Sequence, residues 1–156
     1  MSTRKLVLIT GIPGTGKTSI GNLLEEKYGY KHINFEDGAS LNLFAQNPDE
    51  FLRSNSTLKD VVITWGFVPV EIQINYVQYL KQQGFKLFWF DGNRVAAFRE
   101  YLNAGRPENL FFLQMQRICD SDVINLIKPT IINTFDKDGR FRKRSEVIEE
   151  IEDCIQ

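Results

Sequence analysis

One histidine and two cysteines are all the imidazole and thiol ligands of this 156-residue chain. His32 has no second histidine to share a metal or a catalytic triad with, and Cys119 and Cys154 stand far apart with no ligand or redox spacing around them. A zinc cage of cysteine and histidine, and a serine-histidine-aspartate arrangement that draws on a second histidine, are therefore excluded. An excess of charge of either sign is also missing: 19 Lys+Arg stand against 20 Asp+Glu, a formal net charge of −1. That balance gives no global attraction to nucleic acid or to a membrane surface, so a nucleic-acid substrate is disfavoured. The one basic cluster, Arg140, Arg142, Lys143 and Arg144, reads as a solvated hairpin and helix start. Long hydrophobic runs are absent. The first apolar run, Leu6-Val7-Leu8-Ile9-Thr10, is too short for a signal peptide or a membrane span, and a reducing cytoplasm is the expected location. With only five prolines and 42% hydrophobic residues the chain is not disordered in character. Its length suits a single domain over residues 1–156, able to bury a three-layer core.

What the chain does contain is a complete G-x-x-x-x-G-K-[ST] loop, Gly11-Ile12-Pro13-Gly14-Thr15-Gly16-Lys17-Thr18. A non-alternating apolar run precedes it, as in a central parallel strand buried on both faces. Ile20, Leu23, Leu24 and Tyr28 follow at helical spacing. Glycines let the backbone approach a phosphate closely and aim successive N–H groups at it, at a helix N-terminus that already favours anions. In this pattern Lys17 bridges the β- and γ-phosphates, Thr18 holds Mg²⁺ through its hydroxyl, and Ser19 reaches the α-phosphate. ATP and Mg²⁺ are the expected cofactors.

Five strand candidates, Lys5 to Thr10, Lys31 to Phe35, Val61 to Phe67, Lys86 to Phe90 and Thr130 to Asn133, alternate with helical segments near 17–28, 48–54, 70–83, 94–103, 108–127 and 145–155. The alternation predicts an α/β fold with a five-stranded parallel sheet between helices, joined by right-handed crossovers. Gly84 is placed to end the helix at 70–83, Asp136-Lys137-Asp138-Gly139 to turn the chain, and Ser145 to cap the last helix.

In such a sheet ligands bind beyond the carboxyl ends of the strands. Glu36 and Asp37, after the second strand, are candidates to accept or orient an acceptor hydroxyl's proton, or else to cap a short helix. Asp91, ending Leu87-Phe88-Trp89-Phe90, is either a carboxylate near Mg²⁺ or half of an Asp-Gly turn. Arg106, between two helical segments, is placed to reach a transferring phosphoryl group from a lid spanning about residues 100–115, or is a surface arginine. Arg94, Arg99 and Arg117 are weaker candidates for the same environment, and Phe88, Trp89 and Phe90 read as core.

These features together resemble the small P-loop kinases of the shikimate kinase, gluconate kinase and adenylate kinase group. The resemblance implies the three-layer P-loop NTPase fold with a short lid. It implies acidic residues after the second strand, where this chain has Asn34, Glu36 and Asp37. It matches Trp65, Gly66 and Phe67 to the acceptor-contacting end of the third strand and so to substrate binding, Arg106-Pro107 to the lid, and Arg117 to an acceptor-binding arginine. The first acidic position is Asn34. Trp65-Gly66-Phe67-Val68-Pro69 lacks the aspartate and arginine of the nucleoside monophosphate kinase segment Asp-Gly-Phe-Pro-Arg. The implied activity is transfer of the γ-phosphoryl group of Mg·ATP to a small-molecule hydroxyl. Two alternatives stay open: a polynucleotide 5′-kinase, and a nucleotide-binding regulatory module with little turnover. A GTPase is disfavoured, because no Asn-Lys-x-Asp segment is present.

Overall fold

The computed structural model describes residues 4–56 and 58–155. Five strands, Leu6–Gly11 (β1), Lys31–Asn34 (β2), Val61–Thr64 (β3), Lys86–Asp91 (β4) and Thr130–Asn133 (β5), form one parallel sheet in the order β2-β3-β1-β4-β5. β1, β3 and β4 are buried along nearly their whole length, which is why their sequences run apolar instead of alternating.

Two helices cover one face. Lys17–Tyr28 (α1) and Arg144–Ile155 (α8) pack Ile20, Leu24, Val147, Ile148 and Ile151 against Val7, Ile9, Phe88 and Phe90. The other face carries Ala39–Gln46 (α2), Pro48–Ser54 (α3), Glu71–Gln82 (α4), Arg94–Asn103 (α5), Glu108–Ser121 (α6) and Val123–Ile127 (α7) over Leu8, Ile63, Leu87 and Trp89. The α/β architecture expected from the alternation of elements is the one observed. None of the described helices is long and apolar enough to cross a membrane.

Several boundaries move for local reasons. The third strand ends at Thr64 instead of Phe67: Trp65 N–H still reaches the Ile9 carbonyl, but the next donor, Gly66 N–H, turns to the Glu36 side chain. α2 was not anticipated. Asn47 ends it and also caps α3 by accepting from Glu50 N–H at 3.1 Å, so one asparagine separates α2 from the helix expected near 48–54. The helix foreseen over 108–127 breaks at Asp122, whose backbone is left-handed (φ 56°), a conformation aspartate tolerates better than most residues. α8 starts at Arg144, so Ser145 lies inside its first turn and is not its cap. The turn at 136–139 forms as expected, Asp136 Oδ1 accepting from the N–H groups of Asp138 and Arg140 and bringing Phe135 and Phe141 face to face with ring centroids 4.8 Å apart.

Candidate active site

β1 is central and delivers the glycine-rich loop to the carboxyl edge of the sheet. Gly11 is pressed against β4: a Cβ there would stand 2.1 Å from the Phe90 carbonyl oxygen, and its φ of 136° is closed to other residues. Gly14 is equally constrained, with φ 80° and the Ala97 carbonyl oxygen 2.0 Å from any added Cβ. These two glycines bring the loop backbone down onto β4 and α5. The Thr15 hydroxyl donates to the Ile12 carbonyl at 2.8 Å and Lys17 Nζ donates to the same oxygen at 2.8 Å, so the loop is closed on itself at the start of α1. Lys17 is only 9% exposed, and burial lowers its ammonium pKa to about 8 despite the neighbouring Glu36 carboxylate, with the Arg106 guanidinium adding to the depression.

Glu36 reaches this lysine through an aromatic anchor. Phe35 is buried against Phe44, Phe51 and Trp65, with ring centroids 5.4, 5.9 and 5.4 Å away. The anchored ring fixes the 3-10 turn Phe35–Asp37, and Asn34 Oδ1 caps that turn by accepting from Glu36 N–H at 2.8 Å. The adjacent Glu36 side chain is thereby aimed at the loop, where Oε1 accepts from Gly66 N–H. Oε2 has no partner among the described residues.

Two cavities meet here. A donor-side cavity of about 240 Å³ runs along Gly14 to Ser19 and is closed by Glu100, Tyr101 and Phe141. A second cavity of about 200 Å³ lies between Pro13, Gly66 and α6, with Leu110, Leu113 and Arg117 in its wall. Lys17, Glu36, Tyr101 and Arg106 line both. Arg106 occupies the four-residue corner between α5 and α6, its guanidinium 5.9 Å from the centre of the Tyr101 ring. The segment at about 100–115 is thus the ends of two helices and a tight corner, with Gly105 at φ 77°.

The residues singled out in the sequence divide accordingly. The loop residues other than Ile12, together with Glu36, Gly66, Arg106 and Arg117, converge on the two cavities, whereas the Ile12 side chain is buried in the core. Asp37 does not: its Oδ1 accepts from Ala39 N–H at 3.1 Å and Ser40 N–H at 3.4 Å, the capping alternative. Asp91 is likewise turned away, Oδ2 accepting from the Trp89 indole at 2.9 Å and Oδ1 from Gly92 N–H and Arg94. Trp65 and Phe67 put their rings into the core at 3% and 4% exposure, and of that trio only Gly66 lines a cavity. Tyr101, Glu100, Phe141 and Gln114 were missed. For Phe141 a signal existed, since the turn at 136–139 pairs residues 135 and 141.

The donor set suits Mg²⁺. Among the described residues no group of three or more His, Cys, Asp or Glu side chains could hold a metal ion. Mg²⁺ coordinates hard oxygens and is usually held by one or two protein groups with phosphates and waters completing the shell. The Thr18 hydroxyl and the Glu36 carboxylate, both in the donor-side cavity, are of that kind.

No family model matches the chain. A curated protein, the putative adenylate kinase of Pyrococcus abyssi, is 56% identical over 34 residues, which span 22% of this chain and only 19% of that protein's length. Among solved structures, a gluconokinase from Sinorhizobium meliloti 1021 superposes with a TM-score of 0.60 at 14% identity, covering 95% of this chain and 90% of its own. Shikimate kinase from Acinetobacter baumannii, solved in complex with shikimate, gives 0.61 at 16% identity, covering 97% and 95%. The chain has the fold of the small P-loop kinases, and it is that group it resembles.

Proposed function

We propose that the chain is a phosphotransferase, a single catalytic domain over residues 1–156 that moves the γ-phosphoryl group of ATP to a small-molecule hydroxyl in the cytoplasm. The observation that carries this reading is the meeting of Lys17, Glu36 and Arg106 where the two cavities join. One cavity runs along the loop from Gly14 into the start of α1, and the other opens from Gly11 and Pro13 toward Gly66 and α6, so a donor and an acceptor can face each other across those three side chains. A carboxylate at the junction favours a hydroxyl acceptor: it attracts the proton of a neutral hydroxyl and repels an anionic phosphate acceptor.

In this reading the loop N–H groups and Lys17 bind the β- and γ-phosphates, Ser19 lies beside the α-phosphate, and the base end rests against Phe141. Thr18 would hold Mg²⁺, which when bound would neutralise phosphate charge. Glu36 orients the acceptor hydroxyl and takes its proton. Arg106 faces the equatorial oxygens of the transferring group, and the lid excludes water, the competing acceptor. The regulatory alternative drew on Asn34 and Trp65, but both have structural occupations here, as turn cap and core aromatic. The test is acceptor-stimulated ADP release across sugars, polyols, nucleosides, hydroxy acids and 5′-hydroxyl oligonucleotides. Glu36→Gln should abolish the stimulation while Mg·ATP binding, measured by calorimetry, persists. Failure of every acceptor to raise ADP release would remove the reading.

A further inference from the structure

His32, the only histidine of the chain, lines neither cavity but ties together the three elements that build their junction. Its ring Nδ1 meets Asn22 Oδ1 of α1 at 3.0 Å, and Nε2 meets the Thr64 hydroxyl of β3 at 2.7 Å. Its backbone N–H, on β2, donates to Glu25 Oε2 of α1 at 2.8 Å. The ring also lies against the α1 backbone: a Cβ on Gly21 would stand 2.5 Å from Nε2, so a side chain there would displace it. α1 begins at Lys17, β2 runs into the turn that carries Glu36, and β3 leads two residues on to Gly66, whose N–H holds the Glu36 carboxylate. Lys17 and Glu36 both line the donor-side cavity, so a nucleotide bound there touches groups from either side of the ring.

The two ring contacts have a direction. Asn22 Oδ1 accepts, so Nδ1 carries the proton of the neutral ring and Nε2 accepts from the Thr64 hydroxyl. A second proton makes Nε2 a donor as well, and the Thr64 hydroxyl, in a residue with no exposure, loses its acceptor. Glu25 of α1 is the charged side chain that faces this ring. Asn22, Gly21 and Thr64 are uncharged, and Lys31, the neighbour on β2, turns its ammonium to Asn55 Oδ1 at 2.9 Å. Burial holds the imidazole below the ordinary histidine range, with the Glu25 carboxylate opposing that shift.

We propose that His32 is a positioning residue, acting through Asn22 and Thr64 to align the phosphate loop with Glu36, and that it does so only while its ring is neutral. The inference rests on the nucleotide-binding part of the phosphotransferase reading. A nucleotide in the loop selects the aligned arrangement and so favours the neutral ring, and by reciprocity the added proton weakens nucleotide binding. Phosphate charge acting through space does the opposite, drawing a proton onto the ring. The sign of the change therefore separates alignment from simple attraction.

A single histidine gives a single imidazole titration by NMR, followed in the full chain with and without Mg²⁺ and a non-hydrolysable ATP analogue. Saturation with the analogue should lower the His32 pKa by about 0.7 pH unit or more, equivalent to an affinity about five-fold weaker once the ring is charged. Asn22→Asp keeps the ring and sets a carboxylate against Nδ1, so the titration should move up in pH, and the loss of analogue affinity read by calorimetry should move with it. His32→Gln should remove that component of the pH dependence. A His32 titration that stays in place or rises on analogue binding would overturn the inference and leave the phosphotransferase reading intact. So would an affinity transition that does not follow the titration in Asn22→Asp. No binding of the analogue at any pH would remove the phosphotransferase reading and this inference with it.

Discussion

The Glu36 carboxylate fills the space that a side chain on Gly66 would need: a Cβ there would lie 2.6 Å from Glu36 Oε1 and 3.5 Å from Lys17 Cε. Gly66 N–H donates to that same oxygen, so the glycine both holds the carboxylate and makes room for it. Gly66→Ala should therefore displace Glu36 while meeting the phosphate loop only in an ordinary contact with Lys17 Cε. Turnover should fall by up to about 10²-fold, the low end of what a positioned proton acceptor supplies, while Mg·ATP affinity stays within a few-fold. Steady-state kinetics beside calorimetry checks the split, and equal loss of both would show that the substitution damages the loop itself.

This relationship was only half legible in the sequence. The loop announced itself because its chemistry depends on residue types at fixed spacing, and the parallel sheet because buried strands run apolar. The pairing of Glu36 with Gly66 joins residues on different strand ends, and no local pattern encodes it. Asp91 shows the opposite failure: a strand followed by an acid has the look of a metal site, but the fold gives that acid Trp89 and Arg94 as partners. Trp65 and Phe67 flank the site residue and were grouped with it, although the buried aromatic cluster around Phe35 claims Trp65 and its ring neighbour Phe67.

Glu36 and Asp37 are neighbours with different surroundings, and their variants should differ in kind. Asp37→Asn keeps an acceptor for the Ala39 and Ser40 N–H groups and should leave turnover near normal. Asp37→Ala should lower stability by about 1 kcal/mol through the lost cap, seen in urea denaturation, again with activity retained. A large kinetic defect in Asp37→Asn would mean that the carboxylate swings into the site during turnover.

Lys17 makes pH a probe of the loop. Its folded pKa is lowered from 10.5 to about 8, chiefly by burial. Between those values the unfolded chain binds the proton more tightly than the folded one, so stability of the nucleotide-free protein should rise with pH across that window. Below pH 8 the buried charge costs stability on the order of 3 kcal/mol, which Lys17→Met should recover in denaturant titrations at neutral pH. Phosphate binding has the opposite demand, because it needs the ammonium. Mg·ATP affinity should accordingly decline above pH 8, by up to about ten-fold per pH unit, with proton uptake on binding that disappears in Lys17→Met. Calorimetry in buffers of different ionisation enthalpy measures that uptake.

Arg106 touches both cavities but pairs with no carboxylate among the described residues; its partner is the Tyr101 ring. A guanidinium held by an aromatic face keeps all its N–H donors available, which suits a group whose work comes when charge spreads over the oxygens of a transferring phosphoryl. Ground-state nucleotide already has the loop amides and Lys17. Arg106→Ala should then lower kcat by about 10³-fold with little change in Mg·ATP affinity, the signature of an interaction made in the transition state. Arg106→Lys should recover only part of the loss, since a point charge cannot span two oxygens in the guanidinium's fork. Tyr101→Leu should give a smaller kcat defect by loosening the arginine, and combining it with Arg106→Ala should add nothing, because the ring would act only through the arginine. Additive losses in that double variant would assign Tyr101 a contact of its own with the substrates.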